Sequence, residues 1–444
     1  MMNTLKMLRN GELLGNTTLS LSCGLEVFPE EILTLANTLE ILNLSNNSLS
    51  ELPDNFWYLK KLRILFLSEN DFKVFPEVLA ACPNLTMIGF KSNKISYIPE
   101  NAFPTHTQWL ILTDNKIKTL PQSIGALTKL QKCMLAGNRI ETLPDTMASC
   151  TSLELLRLSA NHLERLPSWL FELPRLSWLA CAGNPCMNTH LLHEKTLLEV
   201  DWNDITMHEE LGKGASGVIS RATLFKKEEA FAVKIFKGEV TSDGYPSDEM
   251  QACIEAGEHE NLITLHAKLS AHPEGKEGLL LSLIPPRYIN LGNPPNFKTC
   301  TRDTYNEHAV FSFSHIVRIA NDIASASAHL HHKNIMHGDL YAHNILIDEH
   351  ADALLGDLGA ATLYENISDV ENEAFERLEV RAFGCLLEDL LERCIPEDAN
   401  ANPKEMLLLK QLQESCMVEE VYQRPLFMDV MKELGKITFS QELF

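Results

Sequence analysis

His337-Gly338-Asp339-Leu340-Tyr341-Ala342-His343-Asn344 is the stretch that decides the fold of the C-terminal half. It sets an aspartate and an asparagine five residues apart, and Asp357-Leu358-Gly359 follows shortly downstream. Two carboxylates and an amide are hard oxygen groups, suited to a divalent cation and to accepting a proton. A single aspartate could be an idle surface residue. Three such groups among the apolar Ile345, Leu346, Leu354 and Leu355 argue against that. Upstream, Phe231-Ala232-Val233-Lys234 ends a β-type run in a lysine. Before it stands the glycine-rich turn Gly212-Lys213-Gly214-Ala215-Ser216-Gly217. Glycines lack the Cβ that would keep backbone N–H groups away from an anion. Alone this turn would be an ordinary hairpin; the order and spacing of all the elements carry the reading.

Between these landmarks the pattern is strands first, then helices. A strand pair starts near Ile205 and includes Val218-Ile219. His272-Pro273-Glu274-Gly275 reads as a hairpin between β-type runs at 262–269 and 279–284. Ile316, Ile319, Ala320, Ile323, Ser327 and Leu330 recur at helical spacing over 314–331. Glu249 lies on a helical stretch close behind Pro246, ten residues before His259-Glu260-Asn261-Leu262, and Glu255 is its rival. The histidines His329, His331, His332, His337 and His343 have no cysteine set at zinc spacing, so no structural zinc is expected.

The N-terminal half is periodic. L-x-x-L-x-L-x-x-N-x-L recurs, with its asparagines at Asn47, Asn70, Asn93, Asn115, Asn138, Asn161 and Asn184. Leu52-Pro53, Phe75-Pro76, Ile98-Pro99, Leu120-Pro121, Leu143-Pro144 and Leu166-Pro167 mark the same phase, and Leu25 with Phe28-Pro29 looks like a leading cap. One unit cannot bury its own apolar face, so only a stack is stable. Strand alternation with Leu42 and Leu44 inward predicts outward columns on the concave wall. One column is Ile41, Ile64, Met87, Trp109, Lys132, Leu155 and Trp178; the next is Asn43, Phe66, Gly89, Ile111, Met134, Arg157 and Ala180. So apolar a wall reads as a contact surface, either for another protein or for the chain's own second half. The alternative is that β-branched and aromatic residues merely favour strands.

Composition narrows the function classes. With 444 residues, two or more domains are expected. A net charge of -22 offers no basic surface for nucleic-acid phosphate or an acidic membrane. The sequence shows neither an apolar leader nor a membrane-spanning run. Eleven cysteines without a C-x-x-C pair fit reduced thiols and a cytoplasmic location.

Residues 15–190 resemble the leucine-rich-repeat family, and residues 205–435 resemble the protein kinase family. The combination is similar to bacterial-type cytosolic leucine-rich-repeat kinases. The implied fold is an α/β leucine-rich-repeat solenoid, a short stiff linker at 191–204, and an α+β bilobal kinase-like domain. The resemblance implies ATP and Mg as cofactors. Gly212, Gly214 and Gly217 would cover the ATP phosphates, and Leu211, Ile219, Ala232 and Leu346 would complete the nucleotide site. It makes Lys234 the phosphate-binding cation, Glu249 its ion-pair partner, Asp339 the catalytic base, and Asn344 and Asp357 the metal ligands. A protein partner or substrate is expected on the concave face at Ile64, Phe66, Trp109, Ile111 and Trp178.

Five features depart from the kinase pattern. Gly338 replaces the arginine that contacts a phosphorylated activation loop, and Tyr341 replaces a lysine near the transferred phosphate. Leu358 stands for phenylalanine, and Glu379 for the aspartate that holds the catalytic loop. Asp357 and Glu379 are only 22 positions apart, with no A-P-E triplet to build a peptide platform. The leading expectation is a Ser/Thr-directed protein kinase. A small-molecule phosphotransferase and a nucleotide-binding scaffold without transfer stay open.

Overall fold

Leucines at fixed phase make each repeat a three-residue strand with its middle side chain inward. In the computed structural model these strands are β1 (Thr18–Ser20), β2 (Ile41–Asn43), β3 (Ile64–Phe66), β4 (Met87–Gly89), β5 (Trp109–Ile111), β6 (Lys132–Met134), β7 (Leu155–Arg157) and β8 (Trp178–Ala180). The structure describes residues 2–187, 198–214, 216–225, 229–238, 240–364 and 369–441, so part of the expected linker lies outside it. The chain divides into two compact units, residues 1–175 with 184–186, and residues 176–183 with 187–444. The eighth strand therefore groups with the second unit.

In the first unit, helix α1 (Met2–Arg9) precedes β1 to β7, which pair in parallel and in chain order. The register aligns Ile41, Ile64, Met87, Trp109, Lys132 and Leu155 in one column and Asn43, Phe66, Gly89, Ile111, Met134 and Arg157 in the next. Leu42, Leu65, Ile88, Leu110, Cys133 and Leu156 form the buried middle row. Each ladder asparagine joins neighbouring turns. Asn138 Nδ2 donates to Leu112 O and Leu135 O, and its Oδ1 accepts from Ile117 N. The residue before the asparagine is left-handed in repeat after repeat: Asn46, Glu69, Ser92, Asp114, Gly137, Ala160 and Gly183. Only two of these seven are the glycine that this conformation favours.

The outward columns are less open than alternation predicts. Phe66, Trp109 and Ile111 are half-buried, but Ile64 is buried, as are Met87 and Leu155. Parallel strands lie about 4.8 Å apart, so bulky side chains in one column cover one another. A Cβ on Gly89 would come within 2.6 Å of the Phe66 ring. Lys132 Nζ sits 4.4 Å from the centre of the Trp109 ring.

The second unit opens with β9 (Glu199–Asp201), β10 (Ile205–Lys213), β11 (Gly217–Leu224) and β12 (Ala230–Phe236). Helix α2 (Pro246–Ala256), β13 (Leu265–Ser270) and β14 (Gly278–Ser282) follow. These strands form one sheet of order β10-β11-β12-β14-β13-β9, with only β9 parallel to its neighbour. The helical part holds β15 (Ile289–Asn290), α3 (Phe313–His332), β16 (Ile335–Met336), β17 (Ile345–Ile347), β18 (Ala353–Leu355) and β19 (Thr362–Leu363). It ends with α4 (Asp369–Glu392), α5 (Pro396–Ala401), α6 (Pro403–Cys416) and α7 (Phe427–Gln441). The helical spacing expected over 314–331 is the buried face of α3, capped where Ser312 Oγ accepts from His315 N. No helix among the described residues is long and apolar enough to cross a membrane.

Candidate active site

A cavity of about 410 Å³ lies between the sheet and the helical part of the second unit. The glycine turn reaches it at Gly214 and Gly217, closed by Gly214 N donating to Gly217 O at 3.0 Å. Gly217 is glycine for a local reason, since a Cβ there would stand 2.6 Å from Ile235 O of the next strand. A Cβ on Gly212 or Gly214 would meet nothing within 4 Å. Ile219 and Leu346 line the cavity from its two sides. Leu211, Gly212, Ala232 and Asp339 lie outside its lining. Leu211 falls at a register shift in the β10–β11 pair and is half exposed, as expected where a bulge turns a side chain away. Ala232 is buried within the sheet.

Lys234 on β12 is buried and ion-paired with Glu249 Oε1 on α2. Glu249, rather than Glu255, takes this place; Glu255 accepts from Gln251 on the same helix. Burial pulls the lysine's pKa down, but Glu249 and Asp357 outweigh it and hold it above its ordinary value. Burial raises the carboxyl of Glu249, and Asp357 adds repulsion that Lys234 only partly offsets. The cleft thus holds two neighbouring carboxylates for one ammonium and has an unbalanced demand for positive charge. Cys253 beside them is an inert thiol, pushed by burial up to about 12.

Six hydrogen bonds assemble the lower wall. Asp339 N donates to His337 Nδ1 at 3.2 Å, which leaves Nε2 as the protonated nitrogen facing Gly356 O at 2.9 Å. Asn344 Nδ2 donates to Asp339 Oδ2 and to Asp339 O, both at 2.9 Å. Asn344 O accepts from Gly356 N at 3.0 Å, tying this loop to the strand before Asp357. Asp357 is left-handed at φ 57°, and its Oδ1 accepts from Gly359 N at 3.2 Å. Because the Asn344 amide nitrogen is engaged by Asp339, its oxygen is the atom left for a cation. That oxygen and the Asp357 carboxylate are a donor set suited to Mg²⁺, which takes few protein ligands and keeps water.

Asp303 and Tyr364 take part without standing in a motif, whereas Glu379 holds the loop from the position its motif implied. Asp303 holds His343, accepting from its backbone N at 3.0 Å and contacting its Nδ1 at 2.7 Å. Burial lowers the pKa of His343, but Asp303, Asp339 and Asp357 raise it above its ordinary value. Glu379, fully buried on α4, accepts from His337 N at 3.0 Å and Gly338 N at 2.7 Å. Its Oε2 also meets His331 Nε2 at 2.8 Å, and His331 Nδ1 meets Tyr364 Oη at 2.8 Å. No spacing rule pairs Asp303 with His343 or Tyr364 with His331; their partners are 40 and 33 residues away.

Trp178 is not an open partner-binding residue. Its ring stacks on Tyr341 with centroids 4.3 Å apart and planes 7° from parallel, and it is 1% exposed. The expectation that Trp178 and Ile64 present an open face to a separate partner is corrected; for Trp178 the alternative, contact with the chain's own second half, holds. Trp178 is covered by the loop that carries Asp339, and Ile64 is crowded within its own column.

The protein kinase domain family matches residues 205–380, and leucine-rich-repeat families match 38–59 and 105–163. Fibroblast growth factor receptor 1 of Pleurodeles waltl is 25% identical over 230 residues, covering 47% of this chain and 27% of that one. A probable serine/threonine-protein kinase, kinY of Dictyostelium discoideum, is 29% identical over 168 residues, covering 36% and 28%. The tyrosine-protein kinase receptor TYRO3 of Danio rerio is 26% identical over 164 residues, covering 35% and 18%. The chain thus spans under a third of the length of each of these relatives. A leucine-rich-repeat protein of Leptospira interrogans aligns at a TM-score of 0.36 with 28% identity, covering 40% of this chain and 52% of that one.

Proposed function

The chain carries leucine-rich repeats followed by a protein kinase domain, and from that premise we propose that it transfers the γ-phosphoryl group of ATP to serine or threonine hydroxyls of a protein. The repeats would recruit the substrate or a regulator, in the cytoplasm. The observation that carries the reading is the convergence of Lys234, Glu249, Asn344 and Asp357 on one cleft, with Asp339 just outside its lining and bonded to Asn344.

Lys234, held protonated, would bind the α- and β-phosphates, with Glu249 fixing its direction. Asn344 and Asp357 would hold Mg²⁺, which supplies charge neutralisation at the phosphates. Asp339 would accept the proton of the attacking hydroxyl, its carboxylate aimed by the Asn344 amide. The alternative acceptor is a small molecule, favoured by one observation: α4 begins only 12 positions after Asp357, leaving little chain for a peptide platform.

Labelled ATP with purified protein tests the reading. Asp339→Asn should lower turnover by about 10²–10⁴-fold with nucleotide affinity nearly unchanged. Lys234→Met should lose both. Equal loss of binding and turnover in Asp339→Asn would contradict its role as base. Label on phosphoserine or phosphothreonine supports the leading reading. Label on phosphotyrosine, or only on added metabolites, would replace its acceptor class.

A further inference from the structure

Four of the five residues 177–181 contact segments around Asp339: α4, the loop 338–341 and the stretch after Asp357. Arg381 Nη1 on α4 donates to Ser177 Oγ at 2.8 Å. Trp178 Nε1 donates to Leu340 O at 3.0 Å while its ring stacks on Tyr341. Leu179 O lies where a Cβ on Gly338 would be, at 2.5 Å, and Ala360 O closes the other side at 2.6 Å. Cys181 N donates to Thr362 Oγ1 at 3.1 Å, just after Asp357-Leu358-Gly359. Gly338 also has φ +73°, so a side chain at this position is both strained and blocked.

The arginine missing from position 338 is the residue through which a phosphorylated loop would fix the catalytic loop. Here a strand edge fills that space. The two halves of the loop are then held from opposite sides: Glu379 grips the amides of His337 and Gly338, and Trp178 grips Leu340 and Tyr341. A brake on activity would be expected to disorder the site, yet the Lys234–Glu249 pair and the Asn344–Asp339 bond are both formed with the strand in place.

We infer that the strand β8, with Ser177 and Cys181, is a permanent brace of the catalytic loop, and that Trp178 is its chief positioning residue. The inference rests on the kinase reading for its effect on turnover, but not for its effect on the loop. The brace replaces phosphorylation as the device that fixes Asp339, so the enzyme would be active as synthesised.

The test uses full-length protein. Trp178→Ala should lower kcat by about 30-fold, as expected for a displaced base, with KM for ATP moving less than about threefold, since Trp178 is absent from the cleft lining. Amide exchange over 337–344 should quicken at least ~10-fold while 217–236 keep wild-type protection. Trp178→Phe, which keeps the stack and drops the indole donor, should recover a third or more of the lost kcat. A wild type that transfers no phosphate would end the kinase reading alone, because the exchange measurement still judges the brace. Unchanged exchange over 337–344 overturns the inference. So does a kcat at or above wild type, which would make the strand a brake. Should Trp178→Ala lose nucleotide binding too, Ser177→Ala and Trp178→Phe decide. Faster exchange confined to the loop supports the brace; uniform loosening of the unit overturns it.

Discussion

Glu379 shows how much one buried carboxylate can hold. Its two oxygens accept from two consecutive amides and meet one imidazole, with no solvent to replace any of them. Glu379→Gln keeps the shape but turns an NH₂ toward a donor. The expected cost is about 2–4 kcal/mol in denaturant unfolding, since a buried N–H loses its acceptor. The acid dependence should change as well. Burial alone would raise this carboxyl, but His331 and His337 hold it below its ordinary value. A carboxylate depressed by folding contributes stability that is present above the unfolded value, near 4.3. That stability is lost as pH falls through the lower folded value. Wild-type stability should therefore fall below about pH 5 with an increment that Glu379→Gln lacks. Parallel pH curves for the two proteins would exclude this role.

At the scale of the element, the repeat ladder works by sharing. Leu135 O accepts from Asn138 and from Asn161, and Leu112 O accepts from Asn115 and from Asn138. Asn138→Ala leaves those carbonyls one donor each but strips Ile117 N of its acceptor, at about 1–3 kcal/mol. The double variant Asn138→Ala/Asn161→Ala removes both donors from Leu135 O. Its loss should exceed the sum of the single losses by about 1 kcal/mol. Strict additivity in urea unfolding would show that the carbonyl is satisfied elsewhere. The ladder was legible because its 22–23-residue spacing is periodic in the chain, and the register followed from strand alternation. Exposure did not follow, because alternation gives a side chain's direction and says nothing of its neighbours' bulk. Gly89 under the Phe66 ring is one such case. Within the site, Lys234, Glu249, Asn344 and Asp357 stand in motifs that could be read locally. The Asp303–His343 and His331–Tyr364 contacts arise only when distant segments fold together.

Across the whole molecule, the sequence placed Trp178 on a contact wall but left its occupant open, and the bond to Leu340, 162 residues away, fills it from the chain's own second half. Repeat periodicity assigns 176–183 to the first half of the chain, whereas its compact grouping assigns it to the second. The two assignments differ in what should happen when nucleotide binds. A ligand held only by the second unit stabilises it by RT ln(1 + [L]/Kd), about 2.7 kcal/mol at a hundredfold excess over Kd. Amides that exchange only when that unit opens should then slow by about 100-fold. The Cys181 amide, bonded to Thr362, should slow together with β12 and β14. Amides of β2 to β5 belong to the other unit and should keep their rates. If the Cys181 amide stays with β2 to β5 while β12 and β14 slow, the strand opens with the repeats. A strand that opened in that way could not hold the loop carrying Asp339 through the catalytic cycle.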